Sequence, residues 1–277
     1  MVSLTARDID MVLGSRQVLT GASMEVLPDE LVTVLGPNGA GKSTFLNVLS
    51  GEQAARSGDV RIGGDDLRTL SSSVLARKRA LMPQKASLNF PFKVRDVVAM
   101  GRDPFRLIVD ASSNKAAVDW ALAETDIGHL ARRVYTQLSG GEQQRVQLAR
   151  VLAQVWRESD DEPRFLLLDE PTSSLDLAHQ HSVLHLARNL AEKGVGVVAV
   201  VHDLNLAALY ATRVVILSNG RVVAAGDPEE ILEPDLIADV FDLSVHRVVD
   251  PDSGRKLIVP TGNHRRSASV IGIRQAL

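Results

Sequence analysis

The stretch Gly36-Pro37-Asn38-Gly39-Ala40-Gly41-Lys42-Ser43-Thr44 decides the fold of this chain. It fits G-x-x-x-x-G-K-[ST], the pattern of a loop that binds nucleotide phosphates. Its glycines let backbone N–H groups turn inward around an anion, because a Cβ atom would block that approach. Lys42 offers a cation to the terminal phosphates, and the Ser43 hydroxyl is a ligand for Mg²⁺. We expect all of these residues to contact the nucleotide.

The flanking sequence supports this interpretation. Leu31–Leu35 is apolar and β-branched, which predicts a buried strand that leads into the loop. Residues 44–50 predict a helix that ends at Gly51. The strand–loop–helix order disfavours a glycine-rich turn with an unrelated lysine, but kinases, GTPases and many ATPases share it.

A second motif is Leu138-Ser139-Gly140-Gly141-Glu142-Gln143-Gln144-Arg145. Ser139 is a good helix N-cap, and Glu142 completes a capping box. An amphipathic helix with a good cap explains much of this pattern, but it does not explain Gly140 and Gly141. A glycine in a helix costs about 1 kcal/mol relative to alanine. The two glycines are understandable if the start of the helix must meet a bulky anion at backbone distance.

Together the two motifs resemble the ATP-binding-cassette (ABC) ATPases, the motor subunits of membrane transporters. The resemblance implies an α/β fold of the P-loop NTPase class. Its core is a mixed sheet flanked by helices, with an N-terminal antiparallel β part and an inserted helical subdomain. In this family the second motif closes over ATP held by another subunit. The resemblance therefore implies a homodimer in which Ser139, Gly140, Gly141 and Glu142, together with Asp176, contact ATP across the interface.

Two acidic residues follow an apolar run at Phe165–Leu168. The run predicts a buried strand, and ligands of open α/β sheets bind where such strands end. By resemblance, Asp169 holds Mg²⁺ and Glu170 orients or activates the attacking water. An acidic strand-to-loop exit without a catalytic role is the alternative.

Two further residues match family positions. His202 follows the predicted strand Val197–Val201 and resembles the histidine that bonds the γ-phosphate, although a histidine at a strand end is often structural. Gln84 resembles the glutamine that reaches Mg²⁺ and the attacking water. The resemblance thus implies ATP and Mg²⁺ as ligands, with Ser43, Gln84 and Asp169 at the metal.

One family feature is missing. An aromatic residue usually stacks on the adenine near the N-terminus, whereas Leu13 stands in the matching position here. An aliphatic contact loses part of the stacking preference. We expect Leu13 to contact the base of ATP, with selectivity over GTP left open.

The chain is interpreted as a single ABC ATPase domain over residues 1–277. Residues 1–84 and 159–260 are expected to form the core, 85–158 the helical subdomain, and 261–277 a flexible tail. Several local patterns support this plan, namely a strand at Asp59–Ile62, helices at Val94–Met100 and Lys115–Thr125, a polar loop at Ser159–Pro163, a hairpin through Asn219-Gly220 and a helix after Asp227.

Composition excludes several classes of function. With 31 basic and 34 acidic residues, the net charge of −3 creates no field that would recruit nucleic acid, so no nucleic-acid partner is expected. The chain has no cysteine, which excludes disulfides, thiolate zinc sites and a cysteine nucleophile. No apolar run approaches the ~20 residues of a membrane span, and residues 1–5 do not resemble a secretory leader.

Segments 88–98, 201–211 and 252–260 resemble the haem-importer ATPases. The resemblance implies two integral-membrane permease subunits and a periplasmic or surface substrate-binding protein as partners. It also implies a peripheral location on the cytoplasmic face of the bacterial inner membrane. A ferric-siderophore or vitamin B12 importer remains an alternative cargo class. A soluble ABC ATPase of translation or DNA repair is disfavoured because the chain has one cassette and no coiled-coil insertion, and a phosphotransferase is disfavoured by the second motif.

Two local features leave alternatives open. Phe90, Pro91 and Phe92 form an apolar cluster that either receives a membrane subunit or fills the core of the helical subdomain. In the spacing His179-x-His181-x-x-x-His185, the imidazoles of His181 and His185 would share one face of a helix. A polar helix face is preferred over a metal or haem site, since no third ligand completes the set.

Overall fold

The protein is described here by a computed structural model that covers residues 2–84, 88–157, 163–251 and 254–261. The strands are β1 (Leu4–Leu13), β2 (Arg16–Val26), β3 (Leu31–Leu35), β4 (Ser57–Ile62), β5 (Asp65–Asp66), β6 (Arg79–Met82), β7 (Arg164–Asp169), β8 (Val195–Val200), β9 (Arg213–Ser218), β10 (Arg221–Gly226), β11 (Val245–Val249) and β12 (Lys256–Pro260). The helices are α1 (Lys42–Ser50), α2 (Ser72–Lys78), α3 (Val94–Ala99), α4 (Ala111–Glu124), α5 (Gly140–Val155), α6 (Leu177–Glu192), α7 (Leu204–Tyr210), α8 (Pro228–Ile231) and α9 (Pro234–Phe241).

The central sheet has the strand order β10-β9-β3-β8-β7-β6. All neighbouring pairs are parallel except the β9–β10 hairpin. Every residue of β3, β7 and β8 is buried, as expected for parallel strands covered on both faces. Strand β8 begins two residues before the predicted strand, because Val195 and Gly196 still pair with β7. The carboxyl ends of β3, β6, β7 and β8 therefore meet at one edge of the sheet.

A second sheet, β2-β1-β4-β5, is antiparallel and precedes most of the central sheet in the chain. Side chains on one face of the central sheet, such as Val32 and Val34, pack with α1 and this antiparallel sheet, whereas Leu31 and Leu35 pack with the helices of the opposite face. The predicted α/β class, with a mixed sheet, flanking helices and an N-terminal antiparallel part, is confirmed.

Helices dominate the described residues between β6 and β7. The predicted helix at Lys115–Thr125 begins earlier, at Ala111, because the Asp110 side chain caps it by accepting from the Ser113 N–H. Helix α3 matches the prediction to within one residue. The proposed subdomain boundaries stay a prediction, and most of the predicted polar loop and of the predicted tail lies outside the described residues.

The turn that joins β9 and β10 has the predicted sequence chemistry. Asn219 and Gly220 both have positive φ, at 50° and 75°, as a two-residue hairpin turn requires. The helix predicted after Asp227 is present as α8, a short helix whose N-cap is Asp227. Within the described residues, no helix is both long and apolar enough to cross a membrane.

Candidate nucleotide site

The predicted phosphate loop, Gly36–Gly41, connects β3 to α1, whose first residues are Lys42, Ser43 and Thr44. The Lys42 side chain returns over the loop, where its ammonium donates to the carbonyl oxygens of Gly36 at 2.7 Å and Pro37 at 3.0 Å. Burial lowers the pKa of Lys42, while Glu170 and Asp169 act to raise it. The lysine cation is therefore held inside the loop, where phosphates would be cradled.

The hairpin turn and strand β2 support this loop. Gly220 N–H donates to the carbonyl oxygen of Ala40 at 3.1 Å. A Cβ atom on Gly36 would lie 2.0 Å from the carbonyl oxygen of Leu217, so only glycine fits there. A Cβ atom on Gly41 would lie 3.0 Å from the carbonyl oxygen of Val18. The hairpin was predicted from its Asn-Gly turn, but no local pattern indicated that it supports the loop.

Ser43 and Asp169, both predicted at the metal, lie together. The Ser43 hydroxyl donates to Asp169 Oδ1 at 3.0 Å. Burial raises the pKa of Asp169, against the hydrogen bond from Ser43. Two oxygen atoms thus converge beside the phosphate loop, and oxygen is the ligand that Mg²⁺ prefers. The residues present fit a magnesium ion that is also held by nucleotide phosphates.

Glu170 contacts the other two predicted catalytic residues. Gln84 Nε2 donates to Glu170 Oε2 at 2.7 Å, and His202 Nε2 lies 2.8 Å from Glu170 Oε1. Burial acts to raise the pKa of Glu170, but the hydrogen bonds from His202 and Gln84 outweigh it, so the pKa is lowered. The carboxylate is therefore ionised at neutral pH and can accept a hydrogen bond from water.

The start of α5 has the predicted capping box. Glu142 Oε2 accepts from the Ser139 N–H at 2.7 Å and from the Ser139 hydroxyl at 2.8 Å. Gly140 faces open space, as a surface that receives a ligand requires. A Cβ atom on Gly141 would lie 3.2 Å from the carbonyl oxygen of Ser174, so this glycine also serves a close contact in its own subunit, which the sequence did not indicate.

Asp176 is the N-cap of α6 and accepts from the His179 backbone N–H at 2.9 Å. Within the described residues, neither Ser139 nor Asp176 hydrogen-bonds to the phosphate loop. In the described part of the chain, the residues predicted to act across a dimer thus make no hydrogen bond to the phosphate loop of their own subunit. A site completed by a second copy has this property.

The β1–β2 turn brings one residue to the loop that sequence reasoning missed. Leu13, predicted at the adenine, is 43% exposed and pairs with Arg16 across the turn. Arg16 Nη2 lies 3.8 Å from the place that a Cβ on Gly39 would occupy. Among the described residues Arg16 has no ion pair or side-chain hydrogen bond, which leaves its cation available to a ligand. The only sequence signal for a role of Arg16 at the loop was its closeness in the chain to Leu13, the predicted base-contacting residue.

The aromatic cluster lies on the surface. Phe90 is 68% exposed and Phe92 39% exposed, with their ring centroids 6.1 Å apart. The alternative in which both rings fill the core of the helical subdomain is therefore wrong. Val94, at the start of α3, takes the buried position instead.

The three histidines of α6 have other partners or stand apart. His179 Nδ1 lies 2.7 Å from Asp176, and His181 Nδ1 lies 2.8 Å from the Tyr210 hydroxyl. In the part of the chain that the structure describes, no group of three or more acidic, histidine or cysteine side chains is arranged to hold a metal ion. The structure supports a polar helix face at these positions.

Known proteins are similar to this chain in sequence and in fold. The sequence profile of the ABC transporter family matches residues 19–173. The chain is 46% identical to the hemin import ATP-binding protein HmuV of Gloeobacter violaceus, over 97% of this chain and 96% of that protein. It is 42% identical to the HmuV protein of Mesorhizobium japonicum, over 93% of this chain and 98% of that protein.

A solved structure extends the comparison to three dimensions. An inward-facing metal-chelate type ABC transporter contains a chain that superimposes with a TM-score of 0.76 at 27% identity, covering 94% of this chain and 97% of that one. The similarity therefore extends over nearly the whole of both chains.

Proposed function

This chain belongs to the ABC transporter family and is an ATPase of that family, and we propose that it drives the import of haem. The observation that supports haem as the cargo is the 42–46% identity, over nearly the full length, to proteins named as hemin import ATP-binding proteins. A metal-chelate type transporter among the structural relatives supports the same class of cargo.

Hydrolysis is assigned to the residues that meet at the carboxyl edge of the central sheet. Glu170 is the acceptor that orients and activates the attacking water, because its carboxylate is held ionised between Gln84 and His202. His202 is 45% exposed at its side chain, so its imidazole is accessible to the γ-phosphate. Lys42 and the backbone N–H groups of the phosphate loop hold the β- and γ-phosphates.

ABC ATPases bind ATP and ADP, and we assign the accompanying Mg²⁺ to Ser43 and Asp169, with Gln84 nearby. When bound, this ion would neutralise charge that develops on the phosphates. The 3.0 Å separation of the Ser43 and Asp169 oxygens supports the assignment. Asp169 positions the Ser43 hydroxyl, whereas Gln84 connects the metal side of the site to Glu170.

Importer ATPases dimerise and work with membrane permease subunits. In this chain the proposed site is completed when Ser139, Gly140, Gly141 and Glu142 of a second copy, with its Asp176 loop, close over the nucleotide. The open surroundings of Gly140 support this role, since backbone N–H groups at a helix start bind anions. Closure of two copies around two ATP molecules would reshape the membrane subunits, and loss of the γ-phosphate would reopen them.

The surface formed by Phe90, Pro91 and Phe92 is the proposed contact with a membrane subunit. Two exposed aromatic rings that contact each other are costly to leave in water and are typical anchors of protein interfaces. Importer ATPases are peripheral to the membrane. We place this chain on the cytoplasmic face of a bacterial inner membrane, with two permease subunits and a substrate-binding protein in the complete transporter.

Growth of the source organism on haem as the sole iron source tests whether haem is the cargo. Cells that carry Glu170→Gln in place of the wild type should fail to grow on haem, because the complex assembles but its motor stops. The same cells should grow normally on ferric siderophores. Unchanged growth on haem, in cells without a second haem importer, would refute the cargo and leave the ATPase assignment intact, with siderophores or vitamin B12 as the next candidates.

A further inference from the structure

The side chain of Gln144 connects helix α5 to the loop that follows β7. Its Nε2 donates to the carbonyl oxygen of Glu170 at 3.1 Å, and its Oε1 accepts from the Ser174 N–H at 3.1 Å. Only this orientation of the amide satisfies both groups, so the two bonds fix the rotamer. The loop between Glu170 and Ser174 is thereby held at both ends by one residue of α5.

A second contact lies one helical turn earlier. Gly141 approaches the same loop so closely that a Cβ atom would lie 3.2 Å from the Ser174 carbonyl oxygen and 3.6 Å from Leu175 Cδ2. Residues three apart on a helix lie on one face, so Gly141 and Gln144 present a single contact surface to the loop. The start of α5 and the loop that carries Asp176 are therefore packed directly on each other.

The hydrogen bond that Gln144 donates is accepted by Glu170, a residue with a strained backbone conformation. Glu170 has φ of 51°, in the left-handed region that residues other than glycine rarely adopt. Such a conformation persists where surrounding contacts determine it. The Glu170 carbonyl oxygen accepts from Gln144 and from the Ser173 N–H, at 3.2 Å. These bonds set the direction in which the Glu170 side chain leaves the strand.

We propose that Gln144 is a positioning residue that couples the two ATP sites of the dimer. The inference rests on the proposed function, in which the start of α5 contacts ATP held by the second copy while Glu170 acts on ATP held by its own subunit. Because Gln144 ties α5 to the Glu170 turn, nucleotide bound at one site alters the position of Glu170 at the other. The Gln144 amide bonds to the backbone of the loop after β7, so we assign it a role through Glu170 and no direct contact with the nucleotide.

Two substitutions separate the two bonds. Gln144→Leu removes both of them at similar side-chain size. Gln144→Glu keeps an acceptor for the Ser174 N–H but has no proton to donate to the Glu170 carbonyl. The matched control is Gln154→Leu, at the other end of α5, where the amide donates to the carbonyl oxygens of Ala76 and Arg79 at 2.7 and 3.0 Å. It removes an amide of the same helix without touching the Glu170 loop.

The steady-state ATPase rate of the purified full-length chain is measured against ATP concentration, together with the affinity for a fluorescent ATP analogue. Both Gln144 variants should lose about tenfold to a hundredfold in kcat, as expected for a misplaced catalytic group. Coupled sites should give the wild type a Hill coefficient for ATP above one, and in both variants this coefficient should fall towards one. The affinity for the analogue should stay within about twofold of wild type. Retained affinity also shows that the variants are folded. Gln154→Leu should keep the wild-type kcat and Hill coefficient.

Wild-type kinetics in both Gln144 variants would overturn the inference, and so would a lower kcat with an unchanged Hill coefficient, because Gln144 would then act within one subunit. A wild-type chain that does not hydrolyse ATP would instead refute the proposed function. The two failures are thus distinguished by the wild-type rate.

Discussion

His202 Nε2 lies 2.8 Å from Glu170 Oε1, and the second oxygen of that carboxylate accepts from Gln84. The three side chains follow three neighbouring strands of the central sheet, β8, β7 and β6. A glutamine and an imidazole thus hold both oxygens of one carboxylate, so its charge and direction depend on residues far away in the chain.

The His202 contact predicts a change in the pKa of Glu170. Burial raises this pKa, and the hydrogen bonds from His202 and Gln84 lower it below its ordinary value of 4.5. With His202→Ala, burial is opposed mainly by Gln84, so the pKa should rise. A depressed carboxyl pKa contributes stability above the unfolded-state pKa, which is lost as pH falls through the folded-state pKa. In the variant this contribution should be smaller and its loss complete at a higher pH, while the onset of the loss, which the unfolded-state pKa sets, stays the same.

The ¹³C chemical shift of the Glu170 carboxyl, followed against pH, measures this change. His181→Ala is the control, because His181 contacts the Tyr210 hydroxyl and not the carboxylate. Equal titration curves for wild type and His202→Ala would show that His202 does not stabilise the ionised form.

Replacement of the Glu170 carboxylate should stop turnover after ATP has bound. Glu170→Gln retains the side-chain size but lacks the base, and such groups contribute about 10²–10⁴-fold to rate. We expect a stable ATP-bound dimer with little phosphate release, seen by light scattering coupled to gel filtration and by a phosphate assay. Normal hydrolysis in this variant would exclude Glu170 as the activating group.

The Lys42 ammonium should be required for productive ATP use. It is 6% exposed and lies inside the phosphate loop, where it donates to carbonyl oxygens of the loop itself. Lys42→Ala should weaken ATP binding or reduce turnover by at least about tenfold, since charge-assisted contacts to phosphate are strong. Lys115→Ala, in the exposed face of α4, should have no effect in the same binding and phosphate-release assays. If Lys42→Ala changes neither quantity, the phosphate-loop assignment is wrong.

Arg16 should contribute to nucleotide binding. Its guanidinium, which has no ion pair or side-chain hydrogen bond among the residues that the structure describes, lies beside Gly39 and can reach the polyphosphate of a nucleotide in the loop. We expect Arg16→Ala to weaken the binding of ATP and of inorganic tripolyphosphate by a similar factor, about threefold to tenfold, as for one charge-assisted contact. Isothermal titration calorimetry measures both.

Arg7→Ala, an exposed arginine on the preceding strand, is the matched control for Arg16 and should bind both ligands as wild type does. A loss confined to ATP would place Arg16 at the base instead of the phosphates. Unchanged binding of both ligands would show that the arginine is not part of the site.

Gly101 should be essential for packing between the helical segments. A Cβ atom there would lie 2.1 Å from the carbonyl oxygen of Arg150 on α5, which is backbone and cannot move alone. Gly101→Ala should lower the free energy of unfolding by about 1–3 kcal/mol. Gly128→Ala, where no atom lies within 4 Å, should stay within about 0.5 kcal/mol. Urea unfolding followed by circular dichroism compares the stabilities of the two variants. Equal stability would show that α5 shifts to accommodate the methyl group added at Gly101.

Several parts of the fold could be predicted from short stretches because neighbouring residues determine them. The strand and helix around the phosphate loop, the capping box at Ser139 and the Asn219-Gly220 turn each follow from local backbone preferences. The family resemblance added the roles of distant residues, but it contains no distances. Helix ends were less accurate, as at Ala111, because one capping side chain moves them by a turn.

The amino-acid sequence by itself determined which residue types are present and which local elements they form, since backbone angles and hydrophobic periodicity act over a few residues. Tertiary structure alone decided that Ser43 meets Asp169 across 126 positions of the chain and that Gln84 meets Glu170 across 86. It also decided that Phe90 is exposed and that Gln144 reaches the Glu170 turn. These contacts depend on which strands and helices become neighbours, and that order follows from packing the whole core at once.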